Sequence, residues 1–145
     1  MAGHCETFEH TADIGLAGWG DSLGELLAAL AGGLSDVLCD RSKVQPAITR
    51  RVQVEAPDPE DLAVDFLSQV LYAFGADGFL TARASVEVLA AGRAGEPASV
   101  QAELAGEKYD PARHEIKTEV KAVTYHQLKI ALEAGRWIGR VILDL

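Results

Sequence analysis

Two apolar stripes with helical spacing stand among segments in which apolar and polar residues alternate. This change of period constrains the fold more than any other feature of the chain. Leu23, Leu26, Leu27, Leu30, Leu34, Val37 and Leu38 form the first stripe, the pattern of an amphipathic helix. Ser22 with Glu25 three residues later reads as its capping box. Gly32-Gly33 weakens helix propensity inside the stripe and marks close packing against a sheet. A second helix starts at Asp58-Pro59-Glu60-Asp61, where Asp58 caps, Pro59 suits the first position and the carboxylates favour the positive end of the dipole. Its stripe is Phe66, Leu67, Val70, Leu71 and Phe74, with Gly75 and Gly78 as stops. The acidic start offers a cation site on paper, but helix-start chemistry accounts for it.

The alternating segments read as strands. They are Ile48 to Val54, Val86 to Ala90, Val100 to Leu104, Ile116 to Ala122, and a hairpin of Leu128 to Leu132 and Trp137 to Leu143 about a turn at Glu133-Ala134-Gly135. The last run is apolar at successive positions, as in a strand covered on both faces. Gly92 to Pro97 is a further turn region. The sum is an α+β fold, one domain over residues 1–145, with an antiparallel or mixed sheet and two helices packed on one side of it.

A chain of 145 residues can bury roughly two-thirds of its unfolded surface, so it folds without disulfide or metal staples. Cys5 and Cys39 show no zinc-ligand spacing and are expected to be reduced thiols, Cys39 buried in an apolar stretch. No apolar run approaches the ~20 residues of a membrane span, and the N-terminus lacks the pattern of a secretory signal. A cytoplasmic location is the expectation. The 22 Asp and Glu against 13 Lys and Arg give a net charge of −9. Such a surface repels phosphates, which argues against strong direct nucleic-acid binding and for a cationic ligand or a basic partner.

Three segments carry more polar chemistry than packing needs. In Phe8-Glu9-His10-Thr11-Ala12-Asp13-Ile14-Gly15, Thr11 and Asp13 suit a tight turn. The functional alternative gives Asp13 as an oxygen donor to Mg²⁺ or Ca²⁺ and His10 as a ligand or base. The chain ends Ile142-Leu143-Asp144-Leu145, two anionic groups in two residues. Either this is a solvated terminus, or Asp13 lies nearby and the carboxylates converge, which demands a raised pKa or a neutralising cation. The third is Gly106 to Glu115, leading to Tyr125-His126, with a Tyr109-Asp110-Pro111 turn and two histidines, His114 and His126. No nucleophile elbow, phosphate loop or zinc-protease signature is present.

Taken together, His10-Thr11-Ala12-Asp13, Gly106-Glu107-Lys108-Tyr109-Asp110 with His114, Glu119 to His126, Trp137 and Val141-Ile142-Leu143-Asp144-Leu145 resemble the archease family. The match runs in order over essentially the whole chain. It implies a protein cofactor without catalytic residues of its own, which assists the RtcB-type RNA ligase of tRNA splicing and RNA repair. That ligase joins a 2′,3′-cyclic phosphate or 3′-phosphate end to a 5′-hydroxyl, and the partner enzyme, not this chain, uses GTP. An archease promotes guanylylation of the ligase and multiple turnover. The resemblance also implies a divalent-metal site, Ca²⁺ or Mg²⁺, at Asp13, Asp144 and Leu145, with His10, Lys121 and His126 as associated residues. The rival readings are a stand-alone metal-dependent hydrolase using Asp13, His10 and Asp144, and a chaperone or modulator of nucleic-acid enzymes.

Overall fold

The computed structural model describes residues 3–10, 13–93 and 95–145, with Glu9 and His10 described by their backbone. The described strands are β1 (His4–His10), β2 (Asp13–Gly20), β3 (Ile48–Ala56), β4 (Phe79–Ala91), β5 (Ala98–Lys108), β6 (Ala122–Val123), β7 (Lys129–Glu133) and β8 (Arg136–Asp144). The helices are α1 (Leu23–Leu38) and α2 (Pro59–Asp77), with a 3-10 turn at Arg41–Lys43.

Both helices form for the reasons their sequences give. Ser22 Oγ accepts the Glu25 N–H at 3.1 Å, while the Glu25 carboxylate accepts from Asp21 N at 2.9 Å, one residue earlier than a full capping box would have it. Asp58 Oδ1 accepts from Asp61 N at 2.8 Å and Pro59 opens α2. The stop is Gly78 rather than Gly75. Gly78 takes φ +67° and its N–H bonds the Phe74 carbonyl, the left-handed ending that glycine adopts without a Cβ penalty. The chain then enters β4 at once, seven residues before the alternating pattern of the sequence suggests.

The α+β class and the two helices are as expected, and every strand pairing is antiparallel. The strands divide into two sheets, however: β1-β2-β8-β6, with β7 also paired to β8, and β3-β5-β4. α1 runs between them. Its Leu26 and Leu30 lie against Gly18 of β2, Leu26 also meets Gly139 of β8, and Gly24 is pressed to the Val86 carbonyl of β4 on the other side. Gly33 sits against Cys5 and Leu16, which is the close sheet contact read from the glycine pair. One core joins α1 and α2 to both sheets, with Leu26, Leu27, Leu30, Leu34, Leu62, Phe66 and Leu67 fully buried.

β8 is central to the larger sheet, flanked by β2 on one edge and by β7 and β6 on the other. Val141, Ile142 and Leu143 are all buried, so both faces are covered over this stretch. The β7–β8 hairpin turns on Ala134 (φ +52°) and Gly135 (φ +78°), a two-residue turn of the kind that matches strand twist. The expected strand from Ile116 to Ala122 is mostly absent. Ile116 forms an isolated bridge with Cys39, Lys117 N bonds the Leu38 carbonyl, and Lys121 N bonds the Asp144 carbonyl. These amides are satisfied by a helix end and a strand end rather than by a continuous ladder.

Two glycines test this packing in opposite directions. A Cβ at Gly106 would overlap the Leu80 carbonyl in the β4–β5 pair, where two backbones are locked together. Gly106→Ala is expected to cost about 3 kcal/mol, lowering Tm by roughly 10 °C. Gly75, helical with nothing within 4 Å of its added Cβ, is expected to gain about 0.5–1 kcal/mol as Ala. Calorimetric melting of the two variants checks both signs.

Candidate functional site

Strand register assembles the polar row. β1 pairs His10 with Asp13 of β2, β2 pairs Ile14 with Leu143 of β8, and β6 pairs Ala122 with Asp144. One step beyond Ile14–Leu143, Asp13 comes beside Asp144. The row across four strands is therefore His10, Asp13, Asp144, Ala122. Because strand side chains alternate, Asp13 and Asp144 share the face of the paired residues Gly15 and Ile142. Gly15 leaves room for the Phe8 ring, and the Arg140 guanidinium sits 4.1 Å above that ring. Directly opposed like charges repel, yet among the described residues no ion pair is made to either aspartate.

The end of β8 is held from two sides. Leu145 packs its side chain against the core, which fixes the chain end one residue beyond Asp144. Lys121 N donates to the Asp144 carbonyl at 2.8 Å, and both Thr124 N and Thr124 Oγ1 donate to the Ile142 carbonyl at 3.0 Å. Lys121 thus stands at the row through its backbone, with an exposed side chain. His126 lies further along, in the exposed loop after β6, where its N–H donates to Thr124 Oγ1 at 3.3 Å. Thr11 and the side chain of His10 lie outside the described residues.

The described side chains hold no group of three or more His, Cys, Asp and Glu placed for a metal ion. Asp13 and Asp144, adjacent by register, are oxygen donors, the chemistry preferred by Ca²⁺ or Mg²⁺. The thiols stand apart from it. Burial, helped by Asp36, pushes the Cys5 thiol up to about 12, and burial also raises Cys39. Cys39 S–H donates to the Ser35 carbonyl at 3.5 Å. Both are structural thiols.

The third polar segment builds a brace. Glu107, at the end of β5, receives the Arg113 guanidinium in two parallel bonds, Nη1 to Oε2 at 3.0 Å and Nη2 to Oε1 at 2.7 Å. Its Oε2 also accepts from Gln45 N and from His114 Nε2, each at 2.9 Å. The Asp110 N–H donates to His114 Nδ1 at 2.9 Å, which fixes the buried imidazole as the neutral Nε2–H tautomer. His114 is thus committed on both nitrogens and is no free base. Around it, Tyr109 N bonds the Gly78 carbonyl and its ring meets Phe74 edge-on. The segment reads in sequence as a motif because each of these residues has a separate partner in the brace.

Hydrogen bonds from Arg113 and Gln45 hold Glu107 down to about 2, from an ordinary 4.5. A carboxylate with a depressed folded pKa stabilises the fold fully above its unfolded value and stops doing so as pH falls through the folded one. Between pH 4.5 and about 2, wild type is expected to lose more stability than Glu107→Gln. The variant should be less stable at pH 7 with a flatter acid limb in urea unfolding. Parallel limbs would contradict the brace.

Known proteins share this chain's sequence and fold over nearly its full length. The chain matches the Archease protein family (MTH1598/TM1083) over residues 5–145. The protein archease of Pyrococcus abyssi is 40% identical over 141 residues, covering 97% of both chains. That of Thermococcus gammatolerans is 41% identical with the same coverage. The solution structure of Methanobacterium thermoautotrophicum protein 1598 superposes with a TM-score of 0.80 at 32% identity, over 97% of this chain and 98% of that one. With a family match over residues 5–145 and relatives 40–41% identical over 97% of both chains, this chain belongs to the archease family.

Proposed function

We propose that this protein is a non-enzymatic activator of an RtcB-type RNA ligase in the cytoplasm, promoting guanylylation of the ligase by GTP and its multiple turnover. The observation that carries the reading is the register that sets Asp13 beside Asp144 at the end of a buried strand. A ligase that binds GTP, metal and RNA needs an electropositive mouth, and a chain of net charge −9 is complementary to it.

Asp13, Asp144 and the carboxylate of Leu145 would hold one divalent cation, Ca²⁺ or Mg²⁺. Bound there, the cation supplies charge neutralisation for a triphosphate brought alongside it. The chain's own part is placement. β8 buries Val141, Ile142 and Leu143, so Asp144 extends from a fixed strand. Lys121 is tied to Asp144 through its backbone and presents its ammonium toward solvent beside the row. With His10 and His126 it is a candidate for orienting phosphate or ligase groups.

Asp13 lies on the second strand and Asp144 next to the chain end, both at sheet ends, so their conversion to Asn is compatible with folding. Asp13→Asn and Asp144→Asn are expected to abolish stimulation in a multiple-turnover ligation assay with the host ligase. In thermal melts, a hundred-fold excess of Ca²⁺ or Mg²⁺ over Kd should stabilise wild type by about 2.7 kcal/mol, or roughly 8 °C, and leave both variants unmoved. Full stimulation by both folded variants would sink the carboxylate mechanism.

A Thermotoga maritima protein with the same fold is described as an archease and possible chaperone (TM-score 0.52, 24% identity). The exposed large apolar residues here include Ile48, Tyr72, Leu89, Tyr125 and Leu132. They come from different elements, which favours a dedicated partner over general client binding. A stand-alone hydrolase would show chelator-sensitive activity in the purified protein.

A further inference from the structure

Between α2 and the 116–123 segment runs a groove of about 620 Å³, walled by Leu71, Tyr72 and Phe74 on the helix and by Ile116, Val120 and Val123 opposite. Tyr72 stands at its edge with 65% of its surface exposed. Ser68 and Gly75, small residues on the same helix, keep the groove open. Nothing in the carboxylate row accounts for it.

The charge around it has one sign at one end. Asp61, Asp65, Ser68 and Tyr72 follow along α2 at intervals of four, three and four, which places them on one stripe. The stripe thus runs from an acidic end into the apolar groove. At that end the Tyr125 hydroxyl lies near the cluster, and burial together with Asp61, Asp65 and Asp58 raises its pKa. Burial and the neighbouring Asp61 raise Asp65 as well. Among the described residues no Lys, Arg or His forms an ion pair with Asp58, Asp61 or Asp65. Glu119 adds a further carboxylate to the groove wall, against the single cation Lys121 among the described lining residues.

We propose that this groove is a docking site for a segment of a partner protein that carries one or two large apolar side chains followed by Lys or Arg. The apolar side chains fill the space between Tyr72 and Val120, and the cations meet Asp61 and Asp65. Charge complementarity selects this occupant. An RNA strand would bring phosphates to unpaired carboxylates, and a second copy of the chain would bring its own net charge of −9. An aromatic edge beside a small-residue gap is the usual form of an anchor pocket, and uncompensated carboxylates set the direction in which the segment lies. The proposal uses neither Asp13 nor Asp144. Although Lys121 and Ala122 of the groove wall adjoin that row, peptide binding is read without a ligase, so its failure is distinguishable from failure of ligase activation.

The test is selection of random phage-displayed peptides on the intact protein. The expected consensus is an aromatic or aliphatic residue flanked on one side by Lys or Arg. A synthetic peptide of that consensus should shift the amide resonances of Ser68, Tyr72 and Val120. Its affinity should fall at least about tenfold in Ser68→Trp, which fills the groove, and in Asp61→Asn/Asp65→Asn. Tyr72→Ala, at an exposed position, repeats the measurement where Ser68→Trp disturbs folding. No enrichment, an acidic consensus, binding retained in these folded variants, or peptides that copy a segment of this chain would each overturn the proposal.

Discussion

α1 carries apolar or small residues on almost every side, and Asp36 is its one exposed residue. A helix of this kind is stable only when both flanks are covered, and that requirement organises the rest of the molecule. One flank takes the β1-β2-β8 side of the larger sheet, and the other takes β4 of the smaller one. The glycines at positions 18, 24, 33 and 139 are where sheet and helix approach closest. The candidate site inherits its position from this arrangement, because β2 and β8 are the strands that press on α1 and their shared end carries Asp13 and Asp144.

The parts of the fold legible in the sequence are those specified locally. Ser22, Asp58, Pro59 and Gly78 set the helix limits through bonds to residues a few positions away. Ala134-Gly135 sets the last hairpin in the same way. The division into two sheets is not legible, since alternation in β3, β4 or β5 tells which face is buried and not which strand is the neighbour. β1 is not legible because His4, Glu6, Thr7, Glu9 and His10 dilute its apolar signal, nor is β2, because glycines replace side chains where α1 packs. Ile116, Thr118, Val120 and Ala122 alternate like a strand although their neighbours' amides bond Leu38 and Asp144. There the period comes from lying over a helix end and one groove wall.

The site divides along the same line. Asp13 and Asp144 lie at opposite ends of the sequence, and their convergence stands there only as one alternative, favoured by the family resemblance, until the register joins them. A long-range pairing of this kind leaves no local trace. The Gly106–Glu115 segment shows the reverse case. Its titratable residues looked like chemistry, and the structure uses them as a brace in which Glu107, Arg113 and His114 satisfy one another. Charged motifs in a small domain are read correctly only after each polar atom has been assigned its partner.

Acidic charge acquires two distinct meanings in this molecule. In the row at the end of β8 register sets two carboxylates side by side on a fixed strand pair, where we propose a cation binds. Along α2 the carboxylates flank an apolar groove, suited to a basic protein segment. The most direct test of the central claim is formation of the covalent ligase–GMP adduct from labelled GTP, with and without this protein, in Mg²⁺ or Ca²⁺. The account predicts that wild type raises the rate of adduct formation and that the Asp13→Asn/Asp144→Asn double variant, folded and equally stable, does not. Equal stimulation by the two proteins would contradict it.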